Sequence, residues 1–361
     1  MQALTLQLLF ATGISLCAAV ILFPLFIKLS PQLGLVDVPD YRKFHLHPIP
    51  AIGGFVISLC LVTAAVFSAS MREFVLKHLA MNMAFIVIML TGFFDDRLNL
   101  SVKLRLGIQV FCALVLAYEG ARINSLHGLF GIYEIPGVIQ YILTVIIIAG
   151  VTNAFNLMDG IDGLAGSMAL VNVGVLTAIS ILLNNTGWLF VLLPLTVALL
   201  VFLCYNWRPA RIFMGDSGSL VFGFMISALG INFIKESEPL SPALNAEVTV
   251  LVTGYCIVPV IDALRVFYGR MKKGKSPFFA DRTHLHHLLI KHYLVHSKAT
   301  QKLLKLHVGI IILSAIGTLF FSLYWVIIGQ IMAVFFYINF LQMMSSFYRW
   351  YRVIKKMELA S

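Results

Sequence analysis

Asp95 and Asp96 stand side by side in Phe93-Phe94-Asp95-Asp96-Arg97, at the end of an apolar run. Adjacent carboxylates at a membrane boundary are costly unless they are paired or used. Arg97, Lys103 and Arg105 lie close enough in sequence to pair with them, and simple solvation of a helix end is the plain alternative. A second polar stretch, Asn153-Ala154-Phe155-Asn156-Leu157-Met158-Asp159-Gly160-Ile161-Asp162-Gly163, follows another apolar run. On a helix the spacing of three puts Asn153, Asn156 and Asp159 on one face, and Gly160 and Gly163 let the backbone approach a ligand closely. Oxygen donors of this kind suit a hard ion such as Mg²⁺, which binds through one or two protein groups plus substrate phosphates. In Met214-Gly215-Asp216-Ser217-Gly218-Ser219 a carboxylate, hydroxyls and backbone N–H groups meet at a predicted helix start. That arrangement favours phosphate, with Asp216 able to hold a bridging metal or simply to cap the helix.

Two basic segments complete the set. Arg270 and Lys272-Lys273-Gly274-Lys275 lead to Asp281-Arg282-Thr283-His284-Leu285-His286-His287. The charge run alone reads as an anchor to anionic lipid. The imidazoles, without an HExxH helix, read better as contacts to phosphate and sugar hydroxyls than as a metal site. Lys43 and His45, in the loop from Asp40 to Pro50, are further candidate phosphate contacts.

Positioning these residues requires a membrane. Of 361 residues 60% are hydrophobic and only 12% charged, about half the charge of a soluble domain. Long apolar runs exclude a barrel and leave helices. Eleven spans are expected, near 5–27, 51–69, 79–94, 102–118, 137–152, 163–183, 188–205, 218–234, 247–267, 306–323 and 325–345, forming an all-α polytopic bundle with one catalytic transmembrane domain over 1–361. The first run is long enough to stay as a span rather than to act as a cleaved leader. Cys17, Cys60, Cys112, Cys204 and Cys256 fall singly in apolar runs and read as packing residues. Alternating the loops places only Arg72, Lys77, Arg122 and Lys235, four of the 26 basic residues, on one side. Basic loops stay in the cytoplasm, so the N-terminus is expected outside and the C-terminus inside. All nine aspartates then fall at the cytoplasmic face, which points to one site for phosphates and cations built from loops near 28–50, 95–102, 153–162, 206–218 and 268–305.

These five segments, in this order, resemble the polyprenyl-phosphate N-acetylhexosamine-1-phosphate transferase family of the glycosyltransferase 4 type. The likeness runs from about Gly34 to His287. It is carried by Asn-Ala-Phe-Asn-(x)₂-Asp-Gly-Ile-Asp-Gly-Leu with Met-Gly-Asp-Ser-Gly-Ser, while Arg-x-His-Leu-His-His is similar to the branch that uses GlcNAc. The resemblance implies transfer of GlcNAc-1-phosphate from UDP-GlcNAc to undecaprenyl phosphate in the bacterial inner membrane, opening synthesis of O-antigen or enterobacterial common antigen. Asn156 and Asp216 would hold Mg²⁺ or Mn²⁺. Asp95 and Asp96 would lie near the attacking phosphate, with Asp159 a further catalytic carboxylate. Asp162 would sit where uracil is recognised, and Arg282 with His284, His286 and His287 would grip the pyrophosphate and amino sugar. Asn153, Arg270, Lys275, Lys43 and His45 are further expected substrate contacts. No nucleic-acid partner is expected and a homodimer is a possible assembly; the last two spans match no motif.

The chemistry stands without the family. A phosphate monoester with a second pKa of about 6 is largely ionised at neutral pH, so direct attack needs positioning more than a strong base. A two-step route through an aspartyl nucleophile is the alternative. Another UDP-N-acetylhexosamine donor, such as UDP-MurNAc-pentapeptide or a 6-deoxy-hexosamine, would use the same site. A transporter would place its polar residues near the midplane, often between repeats; here they gather at one face and no repeat is visible.

Overall fold

The computed structural model describes residues 2–39, 47–276, 283–293 and 295–358. Its main elements are helices: α1 (Gln2–Leu33), α2 (Gly53–Phe67), α3 (Ala69–Lys77), α4 (Leu79–Leu98), α5 (Val102–Tyr118), α6 (Gly137–Asn156), α7 (Leu164–Leu182), α8 (Leu189–Asn206), α9 (Asp216–Ser237), α10 (Pro242–Met271), α11 (Leu285–Tyr293), α12 (His296–Gly317) and α13 (Leu323–Glu358). A two-residue antiparallel ladder, β1 (Val36–Asp37) with β2 (Ile49–Pro50), ties the start of α2 to the end of α1.

The chain is an all-α polytopic membrane protein. Among the described residues, nine helices are long and apolar enough to cross a bilayer, and a tenth span is possible if α2 and α3, bent by 109°, count as one. Each of the eleven expected runs contains a helix. Two fall short in length: α2 has 15 residues and α5 has 17. Ends also differ. α12 starts at His296, about three turns before its expected apolar core, because Lys298, Lys302 and Lys305 extend the helix outside the apolar window. The short α3 and α11 have no long apolar run to announce them.

α9 is the axis of the bundle. It is buried over 83% of its apolar window, against 28% for α1 and α13. Small residues make this possible, since they let helix backbones approach closely in lipid. A Cβ on Gly54 would lie 1.9 Å from Gly218 Cα, and one on Gly92 would lie 2.3 Å from the Asp216 carbonyl oxygen. α2 and α4 therefore press directly on the first turn of α9. At that end Gly53 and Gly54 donate their N–H groups to the carbonyls of Phe213 and Met214, at 2.9 and 2.8 Å. At the other end Lys235 bonds the Gly120 carbonyl at 2.7 Å, and Asn185 bonds Glu236 at 2.9 Å. α5 packs on α4 and α6 and reaches α9 at its two ends, through Arg105 at the head and the Gly120 carbonyl, just after α5, at the tail.

Adding a methyl group at Gly54 has nowhere to go except into the α9 backbone. Gly54→Ala is expected to destabilise the protein by about 1–3 kcal/mol or more. Gly107→Ala, where a Cβ meets nothing within 4 Å, should leave stability unchanged or slightly raised. Thermal unfolding of the detergent-solubilised variants checks this; equal midpoints would contradict the close α2–α9 contact.

Candidate active site

At the head of α9, a cavity of about 580 Å³ opens between the ends of α4, α6 and α8 and the β1–β2 ladder. Its lining includes Asp37, Asp95, Asp96, Asp159, Asp162 and Asp216, together with Asn99, Asn156, His287 and His296. Six carboxylates in one cavity repel one another, so each needs a partner or a cation.

The partners are visible. Asp216 opens α9; its Oδ1 accepts from Asn156 Nδ2 at 2.6 Å and its Oδ2 from Arg105 Nη1 at 3.1 Å. The same Arg105 nitrogen forms a salt bridge to buried Asp95. Asn156 Nδ2 also donates to Ser219 Oγ at 2.8 Å. Asp96 behaves differently. Its two oxygens accept the backbone N–H groups of Asp216 (2.7 Å) and Ser217 (3.0 Å). It acts as a remote cap for α9, where the helix dipole favours a negative charge. Gly215, at φ +74° with Asp96 Oδ2 2.7 Å from where its Cβ would stand, lets the carboxylate reach those amides. Gly218 N and Ser219 N bond the Gly215 carbonyl. The first amides of α9 are thus taken within the protein, and the expectation that they bind phosphate is replaced by the Asp96 cap.

The other side of the cavity is built by the turn after α6. α6 ends at Asn156, so Asp159 leaves from a turn and the expected three-residue face does not form. Asn153 points instead to α5, donating to Gln109 Oε1 at 2.6 Å, and does not line the cavity. Desolvation, then the charge of Asp216, push Asp159 up to about 7. Asp162 moves the other way. Burial alone would raise it, but the hydrogen bond and charge of His296 (3.4 Å) and the Ala210 N–H (3.3 Å) hold it below the usual carboxylate range.

Of the histidines in the 284–287 cluster, only His287 lines the cavity. His284 is buried between Asp262 (3.1 Å) and Arg270 (3.4 Å), which removes both His284 and Arg270 from the cavity wall. His286 is buried; desolvation first, then the charges of His287 and His284, hold it well below 6.5, so its ring is neutral at pH 7. Lys275 follows α10 on the exposed surface, its N–H bonded to the Arg270 carbonyl. Lys43, His45 and Arg282 lie outside the described residues. Arg105 is expected from the sequence only as one possible partner of the acidic pair, and His296 is not expected at the site at all. A basic residue following an acidic pair across a short loop was a signal for Arg105. His296 had none, because it meets Asp162 from 134 positions away.

Asn156 presents its amide nitrogen to Asp216 Oδ1; to share a cation with Asp216 it would have to turn that amide so that its carbonyl faces the ion. Among the described residues no cluster of three or more His, Cys, Asp or Glu has metal-binding geometry. Hard oxygen donors too few to enclose an ion fit Mg²⁺ or Mn²⁺, which complete their shells with water and phosphate.

The fold and site define a polytopic helical membrane protein with an acidic cavity at one end of its bundle. Residues 78–234 match the glycosyl transferase family 4 profile. The chain is 31% identical over 274 residues to the undecaprenyl-phosphate alpha-N-acetylglucosaminyl 1-phosphate transferase of Escherichia coli (strain K12), covering 73% of this chain and 71% of that one. It is 32% identical over 294 residues to the probable undecaprenyl-phosphate N-acetylglucosaminyl 1-phosphate transferase of Bacillus subtilis (strain 168), covering 81% and 79%. With the Yersinia pestis transferase it shares 31% over 275 residues, covering 73% and 72%. The chain belongs to this family of polyprenyl-phosphate N-acetylhexosamine-1-phosphate transferases and is an enzyme.

Asp159 should carry a proton below pH 7 and a charge above it. The protonated-carboxyl infrared band of the wild type should lose a component between pH 6 and 8 that Asp159→Asn lacks. An unchanged difference spectrum in the variant would contradict the assignment.

Proposed function

We propose that the protein transfers GlcNAc-1-phosphate from UDP-GlcNAc to undecaprenyl phosphate, forming undecaprenyl-pyrophosphoryl-GlcNAc and UMP. The observation that carries this reading is the convergence of Asp95, Asn156, Asp159 and Asp216 in one cavity at the ends of three apolar helices. The relatives' names supply the donor and acceptor. Eleven crossings, with α5 and the bent α2–α3 pair included, put all the contributing helix ends on one side. The basic loops on that side favour the cytoplasmic face of the inner membrane, where a polar nucleotide sugar and a lipid phosphate can meet. The product lipid would start O-antigen or enterobacterial common antigen type polysaccharides.

The chain's own residues divide the work. Asp216 and Asn156 would hold Mg²⁺ or Mn²⁺, which would supply neutralisation of charge on the diphosphate. Arg105, between Asp95 and Asp216, fixes both carboxylates and adds a positive charge beside the reacting phosphates. Asp95 orients the lipid phosphate or takes its residual proton; attack on the β-phosphorus breaks the bond to UMP. Asp96 keeps α9 in place. Asp162, with His296, faces the nucleoside, and His287 faces the amino sugar and pyrophosphate. Lys43, His45 and Arg282, which lie outside the described residues, and exposed Lys275 are further proposed phosphate contacts on the strength of the sequence.

UMP release from purified protein with undecaprenyl phosphate and Mg²⁺ tests the reading. Release is expected with UDP-GlcNAc and should vanish without lipid or metal. Release only with UDP-MurNAc-pentapeptide or a 6-deoxy-hexosamine donor would overturn the donor. No release with any of them, from folded protein, would overturn the reaction.

A further inference from the structure

Asp262 lies in α10, outside the cavity, with 0% exposure. A carboxylate buried in a spanning helix is costly unless fully paired. Its pairing is complete and all of it points one way. Arg265 Nη2 donates to Oδ1 at 2.6 Å, His284 Nδ1 to Oδ2 at 3.1 Å, and Leu285 N to both oxygens at 3.2 and 3.1 Å. Arg265 Nη2 also donates to the Thr283 carbonyl at 2.6 Å. Three consecutive residues, 283–285, are therefore clamped to one acid–base pair on α10. Leu285 is the first residue of α11, so Asp262 serves as a cap supplied from another helix.

The two residues after Leu285 carry this clamp to the cavity. His286 lies parallel to His284, with centroids 5.9 Å apart, and meets His287 at 4.1 Å. His286 fills the space over Gly160, where a Cβ would stand 2.4 Å from its Nε2. His287 then lines the cavity.

We propose that Asp262, with Arg265, is a positioning residue: it fixes the start of α11 so that His286 packs on Gly160 and His287 stands in the donor side of the cavity. Its donor-side consequence rests on the reaction proposed above; the clamp itself does not. α11 has nine residues and is too short to hold itself together in isolation. Loss of the carboxylate leaves Arg265, His284 and the Leu285 N–H without their shared acceptor, and hydrogen bonds to a charged group are among the strongest a protein makes.

Hydrogen exchange across the full-length protein, combined with steady-state kinetics, tests this. In Asp262→Asn, peptides covering 283–290 should exchange roughly tenfold faster or more, while those from α6 and α9 keep wild-type rates. KM for UDP-GlcNAc should rise by a similar factor, with KM for undecaprenyl phosphate unchanged. Arg265→Gln, at a partly exposed side chain, should give the same pattern more weakly, and it carries the test if the Asn variant does not fold. Wild-type exchange at 283–290 in a folded variant would overturn the clamp. Faster exchange throughout the protein would also overturn it, by making Asp262 a general fold residue. Faster local exchange with an unchanged donor KM would overturn the link to His287. Should the wild type release no UMP from UDP-GlcNAc, the exchange result still decides the clamp on its own.

Discussion

The head of α9 is held by backbone contact, and the site depends on it. Gly54 and Gly92 allow α2 and α4 to touch the first turn of α9 with no side chain between them. Asp96 then ties that turn to α4 through two backbone amides. Asp216, the first residue of α9, inherits this position. It meets Asn156 from α6 and Arg105 from α5 only because three helix ends stop at the same level. A shift of α9 along its axis by one residue, about 1.5 Å, would separate these groups.

Electrostatics explains why such rigidity is needed. Asp95, Asp96, Asp159 and Asp216 crowd a space in which Arg105 is the cation seen bridging two of them. Asp96 is neutralised in part by a helix N-terminus, Asp95 by Arg105, and Asp159 by keeping its proton up to about pH 7. In the proposed reaction the remaining negative charge would attract a divalent ion and, through it, phosphates. The same acids in a flexible loop would turn to water and lose that pull. Asp262 repeats the device on α10, where a buried carboxylate holds a neighbouring segment through its backbone.

Much of this was legible in the residues. The Asp pair after Phe94, the Asn-rich turn and the Gly-Asp-Ser-Gly-Ser helix start were each marked by polar groups at the edge of apolar runs, and all three reach the cavity. Residues that needed tertiary information were read less well. Asp159 was placed on a face with Asn153 and Asn156 because helical spacing was assumed to continue; the helix stops at Asn156, and Asn153 turns to Gln109. His284, His286 and His287 were all read as contacts to pyrophosphate and amino sugar, yet buried Asp262 recruits His284, and of the three only His287 lines the cavity. Asp96 resembled a catalytic twin of Asp95, and only the approach of α9 reveals its capping contacts. Span ends were blurred for a related reason: hydropathy marks the apolar core, while α10, α12 and α13 continue past it.

The central claim is that a helix junction held by glycine contacts and Asp96 creates one divalent-cation site on Asp216 and Asn156. Mn²⁺ titration of the purified protein followed by electron paramagnetic resonance measures it directly, without turnover. One bound ion per chain in the wild type, lost in Asp216→Asn and in Asn156→Ala while both variants remain folded, is the predicted result. Binding of Mn²⁺ with wild-type affinity in the Asp216→Asn variant would contradict it.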